Sequence, residues 1–309
     1  MNPAYSVILF TTASGAGYGL LALLGLVGFN HGPASSFIFG LVAIVIALGL
    51  ITIGLLSSTI HLGHPERAWR AFSQWRSSWL SREGVAAVLT YVPAVLFGAT
   101  WLDIIHAPAL IGPLGLITVA MCAVTVFCTA KIYSSLTTIR AWNHPLTVPV
   151  YLAFALATGA ALLAAVAAAF DRSQVFLAGL TVAALLAALA LKEIYWVMID
   201  GAVRGHTIEE ATGLGRIGKV SQWELPHTAI NFVQKEMGYA VARKHVTKLR
   251  FGVLAMLGLA AVAMMLALAW PLLSIIAAVL ALAAAVVERW LFFAEAQHVS
   301  TLFYGEAKA

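Results

Sequence analysis

Charge is what this 309-residue sequence has least of: Asp, Glu, Lys and Arg together make up 10% of it, against about 25% in an ordinary soluble domain. With 61% hydrophobic residues and a mean hydropathy of +0.93, a soluble globular fold is excluded. Short alternating segments are also missing, which excludes a porin-type barrel. Cysteine is nearly absent. Cys122 and Cys128 stand six apart in one apolar run, form no Cys-x-x-Cys pattern, and read as small buried thiols, so no disulfide framework and no metal site are expected. The N-terminal run lacks a basic leader region and reads as a first retained span. No repeat of 20–50 residues is evident. No nucleic-acid partner is expected.

What is present is a series of long apolar runs, near 5–27, 36–60, 84–102, 111–131, 147–170, 174–198, 251–270 and 272–294, each of a length that crosses a bilayer as a helix. The sequence therefore predicts an all-α, polytopic membrane bundle of about eight transmembrane helices. It reads as one domain, 1–309, with a long polar loop at about 199–250. Small residues crowd the first span, as close helix–helix approach requires. The basic residues are strongly lopsided. Arg67, Arg70, Arg76 and Arg82 fall in the second loop, Lys131 and Arg140 in the fourth, and Arg204 through Arg250 in the sixth, against Arg172 alone in a loop on the other side. The positive-inside bias then predicts cytoplasmic termini in a bacterial inner membrane.

The titratable residues gather towards that same face, with Lys192, Glu193, Glu288, Arg289 and Glu295 late in their spans. A pump or ion-coupled transporter would need ionisable groups through the membrane's depth. The pattern points instead to chemistry or docking at one interface. HLGHPERAWRAFSQWRSSWLSREG, residues 61–84, is the densest stretch, with four arginines, three tryptophans, two histidines and two glutamates. His61 closes the second span and Glu83 opens the third, so the two can meet across a hairpin. A histidine and a carboxyl beside an apolar entrance supply the donor and the proton carrier that quinone reduction needs. The same residues read equally as interfacial anchors (Trp69, Trp75, Trp79) and topology determinants. None of the nine histidines lies in mid-span, so no haem is expected.

HLGHPERAWRAF with SWLSREG resembles the membrane anchor subunits of the dimethyl sulfoxide reductase family. These carry a His-Leu-Gly-x-Pro-x-Arg-Ala run followed, 22 residues after its histidine, by a glutamate, as Glu83 follows His61. KIYSSLTTIRAWNHPLTVPVY, residues 131–151, is similar to the family's segment after the fourth span. The resemblance implies a complex with a molybdopterin catalytic subunit and a four-cluster, ferredoxin-like iron–sulfur subunit. It also implies a quinone or quinol (menaquinone or ubiquinone) bound by this chain. His61 and Glu83 carry over as quinone contact and proton handler, Arg67 as the residue orienting Glu83 or a quinone oxygen, and Tyr133 as a headgroup partner. Arg70, Arg76, Arg82, Arg243 and Lys244 are expected to dock the iron–sulfur subunit. The long loop, with a membrane-hugging helix near 230–247, serves either that docking or contact with anionic lipid. The sidedness fits the sulfite dehydrogenase anchors of sulfur-oxidising bacteria, which reduce quinone, better than an enteric-type anchor oxidising quinol. A transporter or a non-catalytic scaffold is the alternative of another class.

Overall fold

In hydrocarbon each backbone N–H and C=O must be satisfied within the chain, so apolar segments of this length become helices. The computed structural model describes residues 3–31, 37–60, 62–172, 175–201, 206–224, 228–229, 231, 234 and 241–304, with backbone only at 29–31 and 241–244. Among the described residues, eight long helices cross the membrane: α1 (Tyr5–His31), α2 (Phe37–Ser57), α3 (Trp79–Trp101), α4 (Ile111–Ser134), α5 (Thr147–Ala169), α6 (Val175–Gly201), α7 (Val241–Leu266) and α8 (Leu273–Ala294). No β-strand occurs among the described residues. The chain is a multi-pass membrane protein.

The helices are not equivalent. The most apolar stretch of α1 is 78% buried within the bundle, against 28% for α7. α1 is the axis, packed on α2, α4, α5 and α8, while α3 leans on α4, and α6 and α7 close the far side against α5 and α8. Two close approaches make this possible. Gly19 of α1 lies on Ala155 and Gly159 of α5, and Gly25 of α1 lies on Gly115 of α4. Hydroxyls in the spans are absorbed locally: Thr12 donates to the Ile8 carbonyl (2.8 Å), Ser14 to Phe10 (2.6 Å) and Thr158 to Phe154 (2.7 Å), which costs the helix little. Outward-facing Val45, Ile53, Val88, Val92, Leu259 and Val279 are exposed and meet lipid chains.

Several boundaries differ from the hydropathy reading by three residues or more, and three of them lie at charged ends. α3 begins at Trp79, not 84, and so takes Arg82 and Glu83 into its first turns. α6 runs on to Gly201. α7 begins at Val241, so residues 241–247 of the expected interfacial helix are the start of a spanning helix. Among the described residues of the rest of the long loop, a short helix, Ile208–Thr212, is closed by Gly213 in the left-handed conformation (φ 69°), the usual glycine terminator, and a 3-10 helix, Leu214–Arg216, follows it.

Candidate functional site

The face where α1 begins and α8 ends carries the segment 62–78. His61 lies outside the described residues. Beyond it, Pro65–Gln74 forms a 3-10 helix with no buried residue. His64 and Arg67 both turn to Glu66, at 3.0 and 3.6 Å. Arg67 is thus a surface residue, and the expected link from Arg67 to Glu83 is not made. Arg70 lies over the Trp69 ring, Arg76 over Trp75 and Arg82 over Trp79, at 5.7, 5.4 and 4.3 Å from the ring centroids. These cation–π pairs form an exposed, basic, aromatic surface. Arg82 also donates to the carbonyls of Trp75 and Arg76 (3.0 and 2.7 Å), tying the segment to the start of α3. The expected docking residues Arg243 and Lys244 lie in the backbone-only stretch, so their side chains are outside the described structure.

Glu83 does not face this surface. Because α3 starts at Trp79, the carboxyl lies on the helix side that packs against α4 and is only 4% exposed. Its Oε1 accepts a hydrogen bond from the Thr129 hydroxyl. Two turns deeper the Thr90 and Thr125 hydroxyls pair at 3.0 Å, so α3 and α4 share a polar seam. Tyr18, Cys128 and Tyr133 all lie within electrostatic range of Glu83. Gly84 leaves room for the Phe72 ring, which sits 3.0 Å from where a Cβ would be and covers the start of α3. α2 and α3 pack little on each other, so the carboxyl belongs to the bundle interior and not to an α2–α3 hairpin.

Tyr133, one turn beyond Thr129, is buried in an aromatic cluster with Trp142, Tyr151, Phe292 and Phe293, at centroid distances of 5.2, 5.9, 5.6 and 5.3 Å. The α4–α5 connection that frames this cluster is fixed by polar contacts. Trp142 Nε1 donates to the Phe292 carbonyl (2.8 Å) and Tyr195 Oη to the Ala141 carbonyl (2.7 Å). His144 Nδ1 accepts the Leu146 N–H at 3.2 Å. Burial first, then the Arg140 charge, hold its pKa below the ordinary histidine value, which favours the neutral ring this contact needs.

A second set of charges lies beyond the cluster. Lys192 Nζ of α6 and Glu288 Oε1 of α8 are 2.6 Å apart, both side chains wholly buried, and Arg289 Nη2 approaches Glu288 Oε2 at 3.5 Å. The Arg289 guanidinium lies flat on Tyr151, 3.5 Å from the ring centroid. Its Nε and Nη1 have no protein partner in hydrogen-bonding geometry. The sequence reading placed these residues at an interface; the structure puts them inside. Towards the membrane face, Arg250 binds Asp200 and Glu295 at 2.5 Å each beside an open cleft of about 470 Å³ lined in part by Lys192, Trp196 and Phe292. Removing one member of a buried ion pair strands the other. Lys192→Met is therefore expected to cost about 3 kcal/mol, measurable as a lowered Tm of the detergent-solubilised protein. An unchanged Tm would show that the pair contributes nothing to stability.

The arrangement can hold a proton on a carboxyl sealed from water, hydrogen-bonded by a hydroxyl, next to a basic surface open to a soluble partner. Comparison with known proteins identifies the family. The family described as DMSO reductase anchor subunit (DmsC) matches residues 1–305. A sulfite dehydrogenase subunit of Allochromatium vinosum is 34% identical, over 98% of this chain and 99% of its own length.

Proposed function

Since the chain belongs to the DMSO reductase anchor subunit family, we propose that it is the quinone-reactive membrane subunit of a molybdopterin oxidoreductase complex, passing electrons between an iron–sulfur subunit and the quinone pool. The observation that carries this reading is Glu83. A carboxyl enclosed in the bundle and bonded by Thr129 is otherwise a costly thing to keep near hydrocarbon. Beside a quinone it has a use. A bound quinone supplies two-electron chemistry that must be matched by two protons.

The residues in place fit that need. Glu83 holds the proton, Thr129 fixes the carboxyl's orientation, and the Tyr18 hydroxyl, which finds no protein hydrogen-bond partner, supplies a further donor nearby. His61 completes the set as the expected quinone contact. Tyr133 supports the wall through its aromatic neighbours. The exposed row of Arg70, Arg76 and Arg82 with its tryptophans suits an iron–sulfur subunit docking directly above Glu83, with Arg243 and Lys244 extending the surface. The positively charged loops support a cytoplasmic position for this face. The kinship with a sulfite dehydrogenase subunit favours electrons arriving from sulfite and leaving as quinol. The opposite direction, quinol oxidised to reduce a sulfoxide, is the alternative within the family.

The test is gentle solubilisation from the native membrane, with mass spectrometry and metal analysis of what accompanies the chain. Stoichiometric molybdenum and iron with two further subunits, and sulfite-dependent reduction of a quinone analogue, are the expected result. Sulfoxide-dependent quinol oxidation would reverse the direction. A chain purified alone and metal-free, under conditions that preserve other respiratory complexes, would overturn the reading.

A further inference from the structure

Between α1, α4, α5 and α8 lies a small cavity of about 20 Å³. That is room for one water molecule. Its walls are unusually polar for the interior of a membrane bundle: Thr11, Thr12, Ser14, Tyr18, Thr129, Tyr151, Thr158 and Arg289 all contribute. Most of these hydroxyls are spent on their own helix. The Tyr18 and Tyr151 hydroxyls and Arg289 Nε and Nη1 are not, and none of them has a protein partner in hydrogen-bonding geometry. Tyr18 is 2% exposed and Arg289 3%. Buried donors left bare cost several kcal/mol each in hydrocarbon, and an apolar filling would not relieve them.

Thr129 joins this cavity to Glu83. Its single hydroxyl hydrogen is shared between the Glu83 carboxyl and the Thr125 carbonyl (3.1 Å), and its oxygen lone pairs can still accept from the cavity side. We propose that the cavity holds one ordered water, bound by Arg289, Tyr18 and Thr129, and that through it Arg289 acts as a positioning residue for the Glu83 carboxyl. Charge balance gives the link its meaning. Lys192 and Arg289 share the one Glu288 carboxylate, at 2.6 and 3.5 Å, so the trio keeps one positive charge, and Tyr151 and Phe292 add only ring faces to Arg289, at 3.5 and 5.4 Å. Ionised Glu83 brings the interior set of Lys192, Glu288, Arg289 and Glu83 to neutrality. Protonated Glu83 leaves it at plus one.

The ionised carboxyl is thus the matched state, and a proton on Glu83 is held against an unmatched charge in a medium of low dielectric. Under the quinone reading, on which this part rests, a proton leaves the Glu83 carboxyl for a reduced quinone oxygen, the electrons having come from the iron–sulfur subunit. Arg289 and the water then stabilise the carboxylate left behind. The coupling between Arg289 and Glu83 does not itself depend on quinone.

The experiment is difference infrared spectroscopy of the assembled complex after a pH jump. The C=O band of protonated Glu83 is assigned by its loss in Glu83→Gln. Arg289→Gln removes the charge, and Thr129→Val cuts the bridge at nearly constant volume without touching any charge. Both are expected to raise the ratio of protonated to ionised Glu83 about tenfold, the worth of one charge-assisted link. Arg289→Lys is expected to restore part of the difference. An unchanged band in assembled Arg289→Gln overturns the proposal. Should that variant fail to assemble, an unchanged band in Thr129→Val overturns it equally. Failure of the quinone reading looks different: the band responds, yet Glu83→Gln keeps full quinone turnover.

Discussion

Glu83→Gln is expected to lower quinone-linked turnover by roughly a hundredfold or more, the usual loss when a positioned proton carrier is removed. Glutamine has the same size, and its amide oxygen can still accept the Thr129 hydroxyl, so the packing of α3 on α4 survives. What it loses is the exchangeable proton. Assembly with the partner subunits, and their reaction with an artificial electron carrier that bypasses quinone, should stay near the wild-type level. That split separates a proton-handling role from a structural one. Wild-type quinone turnover in an assembled Glu83→Gln complex would remove the residue from the reaction and, with it, the main support for a quinone site in this corner.

The second large effect is expected at Gly19. A Cβ there collides with the Ala155 carbonyl of α5, and one at Gly159 collides with the Gly19 backbone. These neighbours are main chain, so no rotamer change relieves the clash. Nor can α1 retreat, because Gly25 on the same helix rests on Gly115 of α4, whose carbonyl would stand 2.6 Å from an added Cβ. Gly19→Val must therefore separate helices that enclose the cavity. A loss of about 3 kcal/mol or more is expected, seen as a fall in Tm and in recovered complex. Gly179→Ala on α6 is the control. No atom lies within 4 Å of its added methyl, and alanine favours the helix by up to about 1 kcal/mol. Equal behaviour of the two variants would mean that the α1–α5 contact does not limit stability.

Much of the architecture is legible in the sequence because hydrocarbon enforces it. A run of 20 apolar residues has no alternative to a helix, and all eight spans stand where hydropathy puts them. Their charged ends were harder to read. Hydropathy treats Arg82, Glu83 and Arg250 as loop, although a helix continues through charge wherever a neighbouring helix or a water-facing end can receive it. The motif picked out Glu83, but its orientation towards α4 depends on α3 starting at Trp79, and no composition shows that. Thr129 is one hydroxyl among many that bond their own helix, so nothing local marks it. Lys192, Glu288 and Arg289 did carry a signal: opposite charges on two spans, at similar distances from the same face. Reading each span separately assigned them to the interface; only the pairing of α6 and α8 through α5 and α7 brings them together. Arg67 shows the converse. Its place in the motif suggested a partner in Glu83, whereas adjacent Glu66 on a tight 3-10 helix offers a nearer one.

The central position of α1 has a consequence for how the protein is made. α1 is made before each of the helices that pack on it. When His31 has been synthesised, α5 and α8, which will cover Gly19 and close the cavity around Tyr18, do not yet exist. At ordinary elongation rates the wait for α5 is on the order of ten seconds. For that time the groove of small residues on α1 faces lipid or the insertion machinery, with only α2 and then α4 to shield it. Insertion of α1 therefore precedes its packing, and the bundle closes around it only when α5 and α8 arrive.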